Sequence, residues 1–190
     1  ALLLAEEALE LSPLDPVSEI NYIKILYFSG RYEEALARCN QMIEKGQALS
    51  GAYQFKFATN VDTKRYEEAG KSWAMFLKEA KDEDSAVLFL ENDFKTAVKK
   101  FLELHERKEL SILDLNVYKA SFYAYLEDKD NALKYLEEAF THRESYIVFM
   151  KFPRFEFLRD DPRYIELYEK TGLKSYDEQL KKRKALAVFH

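Results

Sequence analysis

Gly30-Arg31-Tyr32-Glu33-Glu34-Ala35-Leu36 and Lys64-Arg65-Tyr66-Glu67-Glu68-Ala69-Gly70 decide the fold of this chain. Their five central residues, Arg-Tyr-Glu-Glu-Ala, are the same in the same order, with Ala35 and Ala69 34 residues apart. Each reads as the junction into a helix. The aromatic three residues before the alanine packs between helices, and the paired glutamates sit in the first turn, where the helix dipole favours them. The alanine is small because two helices of a hairpin approach closely there, and Gly30 can take the positive φ of a tight inter-helix turn. Working outward, Ala35, Cys39, Met42 and Gln47 follow at offsets of 4, 3 and 5, and Ala69, Trp73, Phe76 and Lys81 repeat them. So do Ala1, Ala5, Ala8 and Pro13, 34 residues upstream of the first set. A fixed period of this length is the signature of stacked helical hairpins.

Further along, the period slips. Ala97, Phe101, Leu104 and Glu109 reproduce the offsets, with Phe94 three residues ahead of the alanine, but Ala97 follows Ala69 by only 28 residues. The first helix of this unit, about 84–92, is therefore expected to be short. Phase returns at Ala132, 35 residues on, with Leu136 and Ala139 behind it and Ala120 at the small-residue site of the preceding helix. The stretch 118–126 is rich in aromatics (Tyr118, Phe122, Tyr123 and Tyr125).

The small–aromatic–small spacing, the period and the Gly-x-Tyr-x-x-Ala junction resemble tetratricopeptide repeats. The likeness covers residues 1–141: it is clearest over 16–45, present over 50–81 and 113–141, and weakest over 82–109. It implies an all-α fold, a right-handed α-solenoid of helical hairpins with its first repeat incomplete and its third irregular. Ile23 and Phe57 depart from the pattern, standing where the repeat prefers a small residue, so looser or differently angled packing is expected there.

Residues 142–190 read as a C-terminal helical cap. Arg143 to Lys151, leading into Pro153-Arg154-Phe155-Glu156-Phe157-Leu158-Arg159-Asp160-Asp161-Pro162-Arg163-Tyr164, is similar to the ending of tetratricopeptide segments in large bacterial transcriptional regulators and signalling proteins. Asp161 is a suitable N-cap with Pro162 as first helical residue. Ile165, Leu167 and Tyr168 give that helix an apolar side, and Gly172 ends it. A solenoid requires such an atypical terminal element to cover its last apolar face. A final helix over 174–187 is expected, with Lys181-Lys182-Arg183-Lys184 suiting its C-terminal dipole; that run reads as a solvated helix end ahead of a nuclear signal or an anion site.

The bulk numbers agree with a folded repeat protein. Of 190 residues 47% are hydrophobic and 33% charged, and 5 Gly and 4 Pro leave little material for hairpins or phosphate-cradling loops. A net charge of −5 argues against direct nucleic-acid binding. The single cysteine fits a reducing compartment, so a cytoplasmic location is expected. No run approaches the ~18–20 apolar residues that span a bilayer. Ala1 to Ala5 is followed by Glu6, Glu7 and Glu10, so this stretch is not expected to be the apolar core of a secretory signal. The chain opens inside the second helix of a repeat, so a segment of a longer protein is expected.

Motifs with chemical logic are missing. His105, His142 and His190 lack any zinc spacing, and His105-Glu106 has no second histidine. Adjacent carboxylates on a helix, such as Glu137 and Glu138, point about 100° apart and do not share a proton. Asp82-Glu83-Asp84 reads as a helix N-terminus and Asp128-Lys129-Asp130-Asn131 as a turn, neither having the glycine and closing glutamate of a calcium loop. There is no Gly-rich phosphate loop and no nucleophile elbow. Cys39 sits on a packing site and reads as a buried hydrophobe. The reading is not an enzyme, with no cofactor and no metal.

Phe55, Trp73, Phe76, Phe101 and Leu136 are expected in the core. First-helix residues lining a concave face are the candidate partner site: Ile20, Lys24, Tyr27 and Phe28; Gln54, Ala58 and Asp62; Val117, Ser121 and Tyr125. Tyr27, Phe28 and Tyr125 are the expected anchors, since large rigid aromatics dominate interface energetics. Such a mixed face suits an amphipathic helix or extended segment. The chaperone-binding version of the repeat uses a carboxylate clamp of lysines, asparagine and arginine; here only Asn21 and Lys24 stand near such positions, so no clamp is expected. The function expected is a protein–protein interaction or scaffolding module, the C-terminal regulatory segment of a larger bacterial regulator, with self-association as homodimer a further option. The alternative is a sensor that encloses a small molecule or peptide in a pocket lined by the Tyr118–Tyr125 cluster and signals upstream. The tail or another helix filling the concave face is the competing structural account.

Overall fold

The computed structural model describes residues 2–11, 15–107, 116–175 and 177–179, and among these every regular element is a helix. The order is α1 (Leu2–Leu11), α2 (Pro16–Phe28), α3 (Tyr32–Glu44), α4 (Leu49–Asp62), α5 (Tyr66–Glu79), α6 (Glu83–Glu91), α7 (Phe94–Arg107), α8 (Asn116–Tyr125), α9 (Lys129–Thr141) and α10 (Pro162–Lys170). Two 3-10 helices, Ser145–Lys151 and Pro153–Leu158, lie between α9 and α10. The chain divides into two compact units, Ala1–Leu104 and His105–His190.

In the N-terminal unit neighbouring helices pack pairwise from α1 to α6, and α2 also meets α4. The repeated alanines set the buried stripes. Ala35, Leu36, Cys39 and Met42 are the inward face of α3; Ala69, Gly70, Trp73 and Leu77 are that of α5; Ala97, Val98, Phe101 and Leu102 are that of α7. This i, i+1, i+4 pattern is one face of an α-helix. The paired glutamates fall in the first turns of α3 and α5, as their sequence implies. Helix α6 has only 9 residues, which accounts for the shortened repeat.

Phe57 and Trp73 meet at 4.5 Å between ring centroids, and Phe76 stacks on Trp73 at 4.8 Å. Ile23 and Phe57, where looser packing is expected, are both buried. Close approach is made at other positions. A Cβ on Gly51 would lie 2.9 Å from Ile20 Cδ1, and one on Gly70 would lie 3.3 Å from Phe94 Cδ2. Phe76 is partly exposed, whereas Phe55, Trp73 and Phe101 are core.

One turn recurs along the chain. Two positions past the last residues of α2, α3, α4, α5, α8 and α9 stand Gly30, Gly46, Lys64, Lys81, Glu127 and Arg143, all with positive φ. The next N–H bonds back to a carbonyl inside the helix, as in Arg31 N to Leu26 O (2.9 Å), Arg65 N to Asn60 O (2.8 Å) and Asp128 N to Tyr123 O (3.0 Å). This arrangement closes the helix C-terminus, and its left-handed residue is best a glycine. Four of the six positions carry a side chain that strains there. Lys64→Gly, at φ 60°, is therefore expected to raise stability by about 0.5–1 kcal/mol. Gly30→Ala, at φ 75°, should lower it by a similar amount. Urea unfolding followed by the fluorescence of the single tryptophan measures both.

In the C-terminal unit α8 packs on α9, both 3-10 helices pack on α8, and α10 packs on α9. Ala132, Leu133, Leu136 and Ala139 repeat the buried stripe. The tail is helical as expected, but residues 145–151 and 153–158 are 3-10 rather than α. Phe152 is extended (φ −79°, ψ 156°) because it precedes Pro153, and the proline has no N–H to carry a helix through. Phe149, Met150, Phe155 and Leu158 are buried. Asp161 caps α10 by accepting from Arg163 N at 2.9 Å, with Pro162 as its first residue, and Gly172 follows its end at φ 75°. The Arg163 side chain bonded to Asp161 holds its carboxyl below the usual range.

A second cap comes from far along the chain. The buried carboxylate of Glu144 accepts from Asn116 N (2.8 Å), Val117 N (3.1 Å) and Asn116 Nδ2 (2.9 Å), closing the N-terminus of α8. His142 Nδ1 lies 3.2 Å from Asn116 Nδ2. Of the final helix expected over 174–187, residues 174–175 and 177–179 are helical; the Lys181–Lys184 run, His190 and the His105 side chain lie outside what is described.

Candidate functional site

Ile20, Lys24 and Phe28 recur at four-residue intervals on α2 and so share one helix face. Phe28 is 45% exposed, while Ile20 and Lys24 are half-buried. Gln54, on the neighbouring α4, is also half-buried. Asn21 lies exposed beside them. The rest of the expected face lies inside. Tyr27 is wholly buried, its hydroxyl donating to Asp62 Oδ2 at 2.6 Å and its ring 5.8 Å from that of Phe55. A tyrosine with no surface in contact with water belongs to the core and cannot anchor a partner on the folded unit. Ala58 and Asp62 are buried with it, because α4 packs against α2, α3 and α5 and is covered on most sides.

The C-terminal unit repeats this. Val117 and Ser121 are buried on α8, with Ser121 Oγ donating to Val117 O at 2.8 Å, while Tyr125 is half-buried. Apart from Tyr125, the aromatic cluster expected to enclose a ligand is core. Tyr118 meets Tyr146 and Phe149 of the first 3-10 helix at 6.2 and 6.5 Å, and Tyr123 stacks on Tyr135 at 5.4 Å. Folding of the tail onto α8 accounts for the cover on that helix.

A cleft that the sequence did not announce opens elsewhere in this unit, with a volume of about 420 Å³. Its apolar lining comes from Met150, Tyr164, Ile165 and Tyr168. The two tyrosine rings lie nearly parallel, 11° apart with centroids at 6.0 Å. The Tyr164 hydroxyl donates to Met150 O, which ties α10 to the first 3-10 helix. At one edge the Asp177 carboxylate accepts from Tyr168 Oη at 2.5 Å and pairs through its other oxygen with Lys151 Nζ. Arg159 also lines the cleft; its guanidinium lies 3.4 Å from Lys151 O and 3.6 Å from Glu156. Burial pushes the Tyr164 hydroxyl up to about 12, and burial together with Asp177 raises that of Tyr168. Both phenols are therefore neutral donors at physiological pH. Only their i, i+4 spacing was visible in the sequence; the partner Asp177 was not.

No group of three or more metal-ligating side chains is gathered among the described residues. Cys39 is buried, and burial drives its thiol up to about 12, so it is protonated and unreactive in the folded protein. No helix among the described residues is long and apolar enough to cross a membrane. No protein-family profile matches the chain, and neither a curated protein nor a solved structure matches it.

Proposed function

We propose that this chain is a protein-interaction module, built as a right-handed α-solenoid of tetratricopeptide-like hairpins and serving as the C-terminal regulatory segment of a larger cytoplasmic bacterial regulator. The stripe of Ile20, Lys24 and Phe28 on α2, with Phe28 45% exposed, carries the reading. An aromatic in contact with water beside a cation and an aliphatic side chain offers an amphipathic helix both an apolar anchor and a carboxylate partner. The 34-residue recurrence of the helix junction, the recurring left-handed turn and the packing of α2 on α4 support the repeat architecture. Tyr125 extends the same role to the C-terminal unit, and a second copy of this chain is one partner that such a stripe accommodates.

Site-specific photocrosslinking in cells of the source organism tests this. A benzophenone side chain is placed at Lys24, Phe28 or Gln54, and for comparison at Lys71 or Glu79, which are exposed on α5. One discrete product from the first group and none from the second supports the proposal, and a product of twice the chain's mass identifies self-association. Equal labelling from both groups, or none from either, overturns it.

A further inference from the structure

We propose that the outward face of α6 docks a basic amphipathic helix of a partner protein, with Val87 and Leu90 as the apolar seat and Glu83, Asp84 and Glu91 as acceptors for its cations. This goes beyond the partner-binding reading of α2. It uses none of those residues and calls for a partner of the opposite charge, since α2 offers Lys24.

The packed side of α6 fixes the open side. The helix packs on α5, and the Phe89 ring lies 6.1 Å from that of Phe94 and 5.3 Å from that of Phe101 on α7. Ser85, Ala86 and Phe89 are buried by these contacts. At a period of 3.6 residues the opposite side then carries Glu83, Val87, Leu90 and Glu91, at i, i+4, i+7 and i+8, with Asp84 at its edge. All five are exposed, Val87 by 41% and Leu90 by 49%. A single exposed aliphatic side chain is ordinary. Two that neighbour each other at i, i+3 on one helix face make a continuous apolar patch.

Charge selects the occupant. The side chains of Glu83, Asp84 and Glu91 form no ion pair and no hydrogen bond with any described residue. Lys100, which reaches the end of α6, donates to Asn92 Oδ1 at 2.8 Å and not to a carboxylate. The patch is therefore flanked by three uncompensated negative charges. An acidic partner would be repelled, and a purely apolar one would take water from the carboxylates and return no counter-charge. A helix with leucine or isoleucine between lysines or arginines satisfies both requirements at once. Its side chains recur at the same three- and four-residue intervals as Val87, Leu90 and Glu91, so its ridge lies along theirs.

The test is fluorescence anisotropy of a labelled leucine–lysine peptide of about 14 residues, four helical turns, titrated with the full chain. Its leucines recur at i, i+3, i+4 and i+7. The comparison peptides carry glutamate in place of lysine, or the same composition in scrambled order. The first peptide is expected to saturate below about 100 μM and to bind at least about tenfold more tightly than either comparison. Leu90→Gln and Glu91→Lys should each weaken it about tenfold. Glu44→Lys makes the same charge change at the exposed last residue of α3 and should leave the affinity within about twofold. Glu91→Lys puts a cation at the C-terminal end of α6, where the helix dipole favours it, so it remains informative if Leu90→Gln lowers the melting temperature. Absence of saturable binding, equal binding of either comparison peptide, or equal weakening by Glu44→Lys overturns the proposal. So does a chain that sediments as a dimer and that Leu90→Gln turns into a monomer, which gives the face to a second copy.

Discussion

Replacing Phe101 with alanine is expected to lower the stability of the N-terminal unit by about 3–5 kcal/mol. The ring is wholly buried. It meets Trp73 edge-on at 6.1 Å and 87°, and Phe89 at 5.3 Å and 70°. These are favoured aromatic geometries, and truncation removes both together with the apolar area that the ring withholds from water. The lost volume sits in the centre of a cluster that joins α4, α5, α6 and α7, where little can collapse to fill it. Phe101→Leu keeps much of that volume and should cost clearly less. Equilibrium unfolding followed by Trp73 emission reads both changes, since Trp73 is the sole tryptophan and is itself part of the cluster. An alanine variant within about 0.5 kcal/mol of the parent would remove Phe101 from the core.

Glu144→Ala should destabilise the C-terminal unit by about 2–4 kcal/mol. The carboxylate satisfies two backbone donors of the first turn of α8 and the Asn116 side chain, and it does so while buried. Its loss leaves those N–H groups without an acceptor in a site that water reaches poorly, and removes a negative charge from the positive end of the helix dipole. Glu144→Gln keeps one carbonyl acceptor and should fall between the two. Amide exchange at Asn116 and Val117 is the local readout, and thermal melting by circular dichroism gives the magnitude. Unchanged protection of those two amides in the alanine variant would show that α8 does not depend on this cap.

Much of the framework is legible because it is local. The first-turn glutamates, the short sixth helix, the caps at Asp82 and Asp161, and the positive φ at Gly30 each depend on residues within a few positions. Asp128 to Asn131, expected as a turn, instead opens α9, with Asp128 accepting from Asn131 N as its cap. Local hydrogen bonds and steric limits decide such features, so their order along the chain reveals them. The candidate surface was less legible. Offsets from the start of each hairpin give a helix face, but not what packs onto it. Tyr27 and Phe28 are sequence neighbours of similar size, yet one is fully buried and the other 45% exposed. Periodicity alone does not separate them when a first helix is covered on more than one side.

By itself, the sequence determined that the described residues fold into helices, where the repeated helix junctions fall, and which stripes of alanine and aromatic residues turn inward. All of this follows from a 3.6-residue period and from the conformational limits of capping and turn residues. Tertiary structure alone decided the rest. It brought Glu144 to the start of α8, Asp62 to the hydroxyl of Tyr27, and Asp177 to Lys151 and Tyr168. These partners are 28, 35, 26 and 9 residues apart, distances at which side chains meet only after helices have packed. A buried carboxylate takes whichever donors the packing presents, and no spacing in the chain encodes that choice.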